Sequence, residues 1–188
     1  QADGSKDYEE IINIFLRNIA FVIIISLLVV ILQTYLYNIS LSIFELSQET
    51  KLYFKDYFTF RIYSSFGELT IFVITGLFIG LQKTKTSSLI VGFYSLANII
   101  LSLIFVLYFN LNVLGVALGT LVASTLTTII FLFYTFYALS KMTKLEINTK
   151  KIYNLSKVKN IFDINLNIFI RSVLLSFSFL YFTYLGTS

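Results

Sequence analysis

The sequence predicts an all-α fold, a polytopic transmembrane helix bundle of five spans, and three observations carry that prediction. Thr86 to Ser140 is a run of 55 residues without one charged side chain. As helix it would extend about 80 Å, more than twice the roughly 30 Å hydrocarbon core of a bilayer. Hydrophobic residues make up 57% of the 188-residue chain and charged residues 13%, about half the charged share of a soluble domain; mean hydropathy is +0.83. The apolar runs are long and continuous, without the inside–outside alternation of a membrane barrel.

The spans follow from the apolar runs and their polar breaks. The first is expected near Asn18 to Phe44, between Arg17 and Glu45, and the second from Tyr57 to Gln82. The third covers Ser88 to Phe109 and the fourth Val116 to Leu139, separated by the turn-forming stretch Asn110-Leu111-Asn112-Val113-Leu114-Gly115. The fifth is expected at Ile168 to Leu185. The organisation is then 1–139 for four spans, 140–167 for a polar connector and 168–188 for the last span. The connector's part Lys150 to Phe162 mixes Lys with apolar residues at near-helical spacing. It fits a helix on an anionic membrane face and a solvated linker equally well.

Lys and Arg set the orientation. Lys6, Arg17, Lys83, Lys85, Lys141, Lys144, Lys150, Lys151, Lys157 and Lys159 fall on one side, ten in all, against Lys51 and Lys55 on the other. The ten-residue side is expected in the cytoplasm, with the start of the chain inside and its end outside. Arg61 and Arg171 lie near span ends and can snorkel to the headgroups.

Composition also excludes chemistry. With no Cys and no His, disulfides, thiolate catalysis, the usual zinc and haem ligands and histidine relays are ruled out, and no metal or cofactor is expected. Paired intramembrane carboxylates are missing too, so an enzyme has little support. The net charge of +4 sits in loops beside spans and does not point to nucleic acid; the expected partner is the lipid bilayer. The chain begins with Gln1, has its single Met at 142 and stops at Ser188 directly after an apolar run. It is expected to be an internal piece of a longer protein.

Polar groups are costly in lipid, so their placement within spans is informative. Ser26, Gln33, Tyr37 and Ser40 recur on the first span; Arg61, Ser64 or Ser65, Glu68, Thr75 and Gln82 on the second; Ser95, Asn98 and Ser102 on the third; Thr120, Ser124, Thr127 and Thr128 on the fourth. One polar stripe per helix suggests a bundle around a polar pathway. The plainer reading is that Ser and Thr bond their own helix carbonyls or join helices. Glu68 is the single acid well inside a span. It costs about 3 kcal/mol at the bilayer centre, which the apolar residues between Ile62 and Leu81 offset by roughly 3 to 7 kcal/mol. It is either a functional acid or an acid near the outer interface facing water. Arg61 lies two turns away, about 10 Å along the axis, close enough for a water bridge through Ser64 or Ser65 and too far for direct contact. Gly76 with Gly80 and Gly115 with Gly119 form two GxxxG pairs that permit close helix packing. The chain has no Pro, which removes the simplest source of helix kinks.

From Tyr57 to Ser124 the chain resembles the multidrug and toxic compound extrusion (MATE) family, nearest its DNA-damage-inducible, DinF-like branch. The resemblance rests on Tyr57 and Arg61, on Gly76 and Gly80-Leu81-Gln82-Lys83-Thr84, on Asn98-Ile99 with Leu101, and on Asn112-Val113 with Gly115 and Ala117-Leu118-Gly119-Thr120. Gln1-Ala2 with Gly4 looks like the segment after that family's second span, and Asn165 to Leu185 with Arg171 looks like its seventh. The resemblance implies spans three to seven of a twelve-helix, two-lobed transporter of the inner (cell) membrane. It implies a multidrug antiporter that exports small organic cations in exchange for Na⁺ or H⁺, completed by the remainder of the same transporter. The family's cation site maps onto Asn98 and Thr120, while the position of its second acid falls on Ser102. Glu68 stands where a small residue is usual and is expected to supply the titratable group instead. A lipid-linked saccharide or lipid flippase of the same superfamily is the alternative, as is a structural membrane subunit.

Overall fold

The computed structural model of the chain describes residues 8–43, 46–142, 166–167 and 170–179. Every regular element among them is helical. In chain order they are α1 (Tyr8–Ile31), α2 (Gln33–Ile43), α3 (Gln48–Tyr63), α4 (Ser65–Gly80), α5 (Thr84–Leu103), a single π-helical turn (Ile104–Tyr108) and α6 (Asn112–Ser140). Residues 1–146 and 147–188 form separate units. In the second unit the apolar helix α7 (Ile170–Phe179) covers ten residues of the expected fifth span. The rest of that span, and Lys150 to Phe162, lie outside the described residues.

Among the described residues three helices are long and apolar enough to cross a membrane: Tyr8–Ile31, Thr84–Tyr108 and Asn112–Ser140. Gln48–Tyr63 and Ser65–Gly80 together make a fourth, bent by 43°. The second, third and fourth spans fall on the apolar runs that predicted them, but the first expected span, Asn18 to Phe44, is instead Tyr8–Ile31 followed by the separate helix Gln33–Ile43, so Gln33, Tyr37 and Ser40 do not share a span with Ser26. Both α1 and α3 begin about ten residues early. α1 starts at Tyr8, with Glu9 and Glu10 in its first turn, where acids favour the positive end of the helix dipole. Arg17 is therefore not a loop residue. It is 3% exposed inside α1 and paired with Glu10 at 3.0 Å. Similarly α3 is capped by Ser47, whose hydroxyl accepts from the Thr50 N–H, so Lys51 and Lys55 are helical rather than in a loop.

The second span breaks at Ser64 without any proline. The buried Ser64 hydroxyl donates to the Arg61 carbonyl at 2.7 Å. That carbonyl would otherwise take the N–H of Ser65 one turn on, and a side chain inserted into the ladder bends the helix. Glu68 consequently lies in the first turn of α4, not in mid-helix. At the α5–α6 connection the left-handed residues are Asn110 (φ 54°) and Asn112 (φ 47°), a conformation that asparagine tolerates best after glycine. Gln82 (φ 58°) does the same at the α4–α5 turn and does not belong to the polar stripe of the span.

α6 packs against α3, α4 and α5, and α1 packs against α4. Ile11, Ile12 and Phe15 at the start of α1 cluster with Phe78 and Leu81 at the end of α4, Ile90 in α5 and Leu139 at the end of α6. The start of α1, the α4–α5 turn and the end of α6 thus share one end of the bundle, the alternation that the loop charges require.

Candidate functional site

Apart from Gln33, Ser65, Thr75 and Thr127, whose buried side-chain oxygens have no hydrogen-bond partner among the described residues, the polar side chains of the expected stripes are bonded in two main ways. Most close on their own helix: Ser26 donates to the Val22 carbonyl, Ser40 to Leu36, Thr70 to Phe66 and Ser124 to Leu121. Thr128 reaches across to the Gly67 carbonyl at 2.9 Å. Ser124, Thr127 and Thr128 are buried, and a Cβ on Gly67 would fall 2.8 Å from the Ser124 side chain. The polar face of α6 below Thr120 is therefore a tight helix contact with α4, not the wall of a polar pathway. Small hydroxylated residues let backbones approach and join them by hydrogen bonds.

The second kind forms a chain across helices. Arg61 Nη1 donates to both the Ser64 hydroxyl, at 2.7 Å, and Glu68 Oε1, with which it forms a direct salt bridge. Two turns separate the backbones, but an arginine side chain bent along a kinked helix spans that gap, so no bridging water is required. Arg61, 38% exposed, is thus paired along its own span with Glu68. The same Glu68 oxygen accepts from the Tyr94 hydroxyl of α5 at 2.7 Å. One turn further along α5, Asn98 donates to the Thr120 hydroxyl of α6 at 3.2 Å, and Ser102 donates to the Asn98 carbonyl oxygen at 3.2 Å. Thr120 in turn donates to its own helix at Val116. Asn98 thus joins Ser102 to Thr120, and Glu68 stands one helical turn from Asn98 by way of Tyr94.

Tyr94 was missed by the sequence reading, which placed Ser95 on this face; Ser95 is exposed and points elsewhere. The available signal was the i, i+4, i+8 spacing of Tyr94, Asn98 and Ser102, one face of a helix.

The glycine pairs behave differently. A Cβ on Gly119 would lie 2.4 Å from the Ser102 hydroxyl and 2.7 Å from its Cα, and one on Gly115 2.9 Å from the Phe105 carbonyl carbon. These two set the α5–α6 crossing that brings Ser102 and Asn98 to Thr120. Gly76 and Gly80 meet nothing within 4 Å; instead of packing helices together, they line a groove of about 480 Å³ beside Ile14, Asn18 and Phe72. Among the described residues no group of His, Cys, Asp and Glu could hold a metal ion.

Apolar spans, a helix broken in mid-span and a polar chain that crosses from α4 to α5 to α6 define an integral membrane protein with an intramembrane polar site. A model of the MatE family matches residues 1–104, more than half of the chain, and the chain belongs to this family of helical membrane transporters. The matched stretch includes Glu68, Tyr94, Asn98 and Ser102 and ends before Thr120. Comparison with curated proteins and with solved structures gave no match.

Proposed function

We propose that the chain is the part of a cation-coupled exporter that carries its coupling site, and that it works by alternating access on small organic cations. The observation that carries this reading is the linked polar chain of Glu68, Asn98, Ser102 and Thr120 inside otherwise apolar spans. An ionisable group retained at membrane depth is a functional candidate by default. Broken helices next to such groups recur in secondary transporters, where they place polar ends of half-helices inside the bilayer.

On this reading Glu68 is the titratable group. Its carboxylate is held by Arg61, so a proton or a substrate cation has to compete with the guanidinium for it. Such competition makes binding of coupling ion and drug mutually exclusive, the requirement of an antiporter. The Asn98 carbonyl oxygen and the Ser102 and Thr120 hydroxyls offer three neutral oxygens, which suit Na⁺ where a hard monovalent ion replaces H⁺. The placement of the chain as spans three to seven, in the DinF-like branch and in the inner membrane, belongs to the same proposal. A flippase cavity would need free basic residues, and Arg61 is engaged by Glu68.

The test is efflux of a fluorescent organic cation such as ethidium from cells expressing the full-length protein with Glu68→Gln. Glutamine keeps the shape and an acceptor for Tyr94 and removes the charge. Efflux is expected to fall at least tenfold at unchanged membrane abundance. Wild-type efflux with wild-type pH dependence would return Glu68 to a structural role.

A further inference from the structure

Three helices are tied by two hydrogen bonds one turn apart on α5, and a single residue belongs to both neighbourhoods. Tyr94 reaches α4 through Glu68 at 2.7 Å. Asn98, four residues on and hence on the same face, reaches α6 through Thr120 at 3.2 Å. The remaining charged group on Glu68 is Arg61 of its own broken span, with Tyr57 one turn before Arg61 on α3. Immediately beyond Ser102, α5 passes into the π-helical turn Ile104–Tyr108, so the α5 segment carrying Tyr94, Asn98 and Ser102 ends at a local change of helical winding, a feature found at sites that must adjust.

We propose that Tyr94 is the positioning residue that transmits the state of Glu68 to the Asn98–Ser102–Thr120 cluster. The proposal rests on the reading of Glu68 as the coupling acid. While the carboxylate is ionised, its Oε1 takes the hydroxyl hydrogen of Tyr94 and holds α5 to α4. When a proton binds Glu68, the carboxyl becomes a donor and its hold on Arg61 loses its charge. Tyr94 keeps its own proton throughout; only the partner of its hydroxyl changes. The same hydroxyl is already within reach of the Asn98 side chain, whose amide also donates to Thr120 of α6, so a change of its partner at Glu68 is felt at Asn98. The acid and the amide cluster are thereby made to change together through Tyr94.

A structural tyrosine and a transmitting one differ in a double-mutant cycle. Efflux of ethidium is measured in membrane vesicles containing the full-length protein, as wild type, Tyr94→Phe, Glu68→Gln and the double variant, each normalised to membrane abundance. Tyr94→Phe deletes one oxygen and is expected to slow efflux about tenfold, the effect of one hydrogen bond to a charged group. In the Glu68→Gln background the same change is expected to add nothing. Losses that multiply in the double variant, or wild-type efflux in Tyr94→Phe, overturn the proposal. Glu68→Gln at the wild-type rate overturns the coupling-acid reading itself, so the two failures are distinguishable. Infrared difference spectra of the purified protein supply a second readout that does not need transport. The carboxyl band that Glu68→Gln abolishes is expected to shift in Tyr94→Phe, and also with 3-fluorotyrosine at 94, which preserves the fold and alters only the strength of the donor. An unmoved band in both refutes the contact.

Discussion

Two glycine pairs with the same GxxxG spacing should respond oppositely to alanine. At Gly119 the added Cβ would lie 2.7 Å from both the Cα and the amide nitrogen of Ser102. Backbone cannot swing aside as a flexible side-chain tip can. Restoring an ordinary contact of 3.4 Å requires α5 and α6 to separate by about 0.7 Å. Overpacking of this kind costs about 1–3 kcal/mol. Separation would also stretch the Asn98–Thr120 bond from 3.2 Å to beyond hydrogen-bonding range, a loss of about 0.6 kcal/mol between membrane helices. The better helix propensity of alanine returns up to about 1 kcal/mol. The net loss is about 0.6–2.6 kcal/mol, and for a chain of this size each kcal/mol moves the melting temperature by about 2–4 °C. At Gly76, where nothing lies within 4 Å, only the propensity gain applies. Thermal unfolding of the detergent-purified protein, followed by loss of monodisperse material on size exclusion, should therefore show Gly119→Ala lowered by several degrees and Gly76→Ala unchanged or raised. Equal shifts in the two variants would refute the account of which pair sets a helix crossing.

The remaining predictions concern orientation and the ion pair of α1. In this naturally Cys-free chain, a lone cysteine from Lys85→Cys should react with a membrane-impermeant thiol reagent in inverted vesicles and not in intact cells; labelling from outside intact cells would overturn the topology. Arg17→Ala should destabilise the protein by about 3 kcal/mol, the low end for breaking a buried pair because Glu10 keeps 21% of its side-chain surface. Lys55→Ala, at an exposed helical position, should change the unfolding temperature by about a degree or less.

What the sequence determined by itself was the solvent and the helical class. A charge-free run of 55 residues has no stable place in water, and in lipid a backbone must satisfy its own hydrogen bonds, which leaves helices. The turn at Asn110 and Asn112 was legible for the same kind of reason, since few residues accept the left-handed conformation there. The Asn98, Ser102 and Thr120 grouping was suggested by spacing and by family resemblance. Tertiary structure decided what spacing cannot. Axial rise put Arg61 and Glu68 out of reach, but the bend at Ser64 and the length of the arginine bring them together. A tyrosine in a membrane sequence reads as an interface anchor until a carboxylate from another helix is seen 2.7 Å from its hydroxyl. The two GxxxG pairs are identical as patterns; which one packs depends on what lies opposite, and opposite Gly119 lies Ser102 while opposite Gly76 lies an open groove. Periodicity reports which residues share a face of one helix, and only the packing of helices assigns that face a partner.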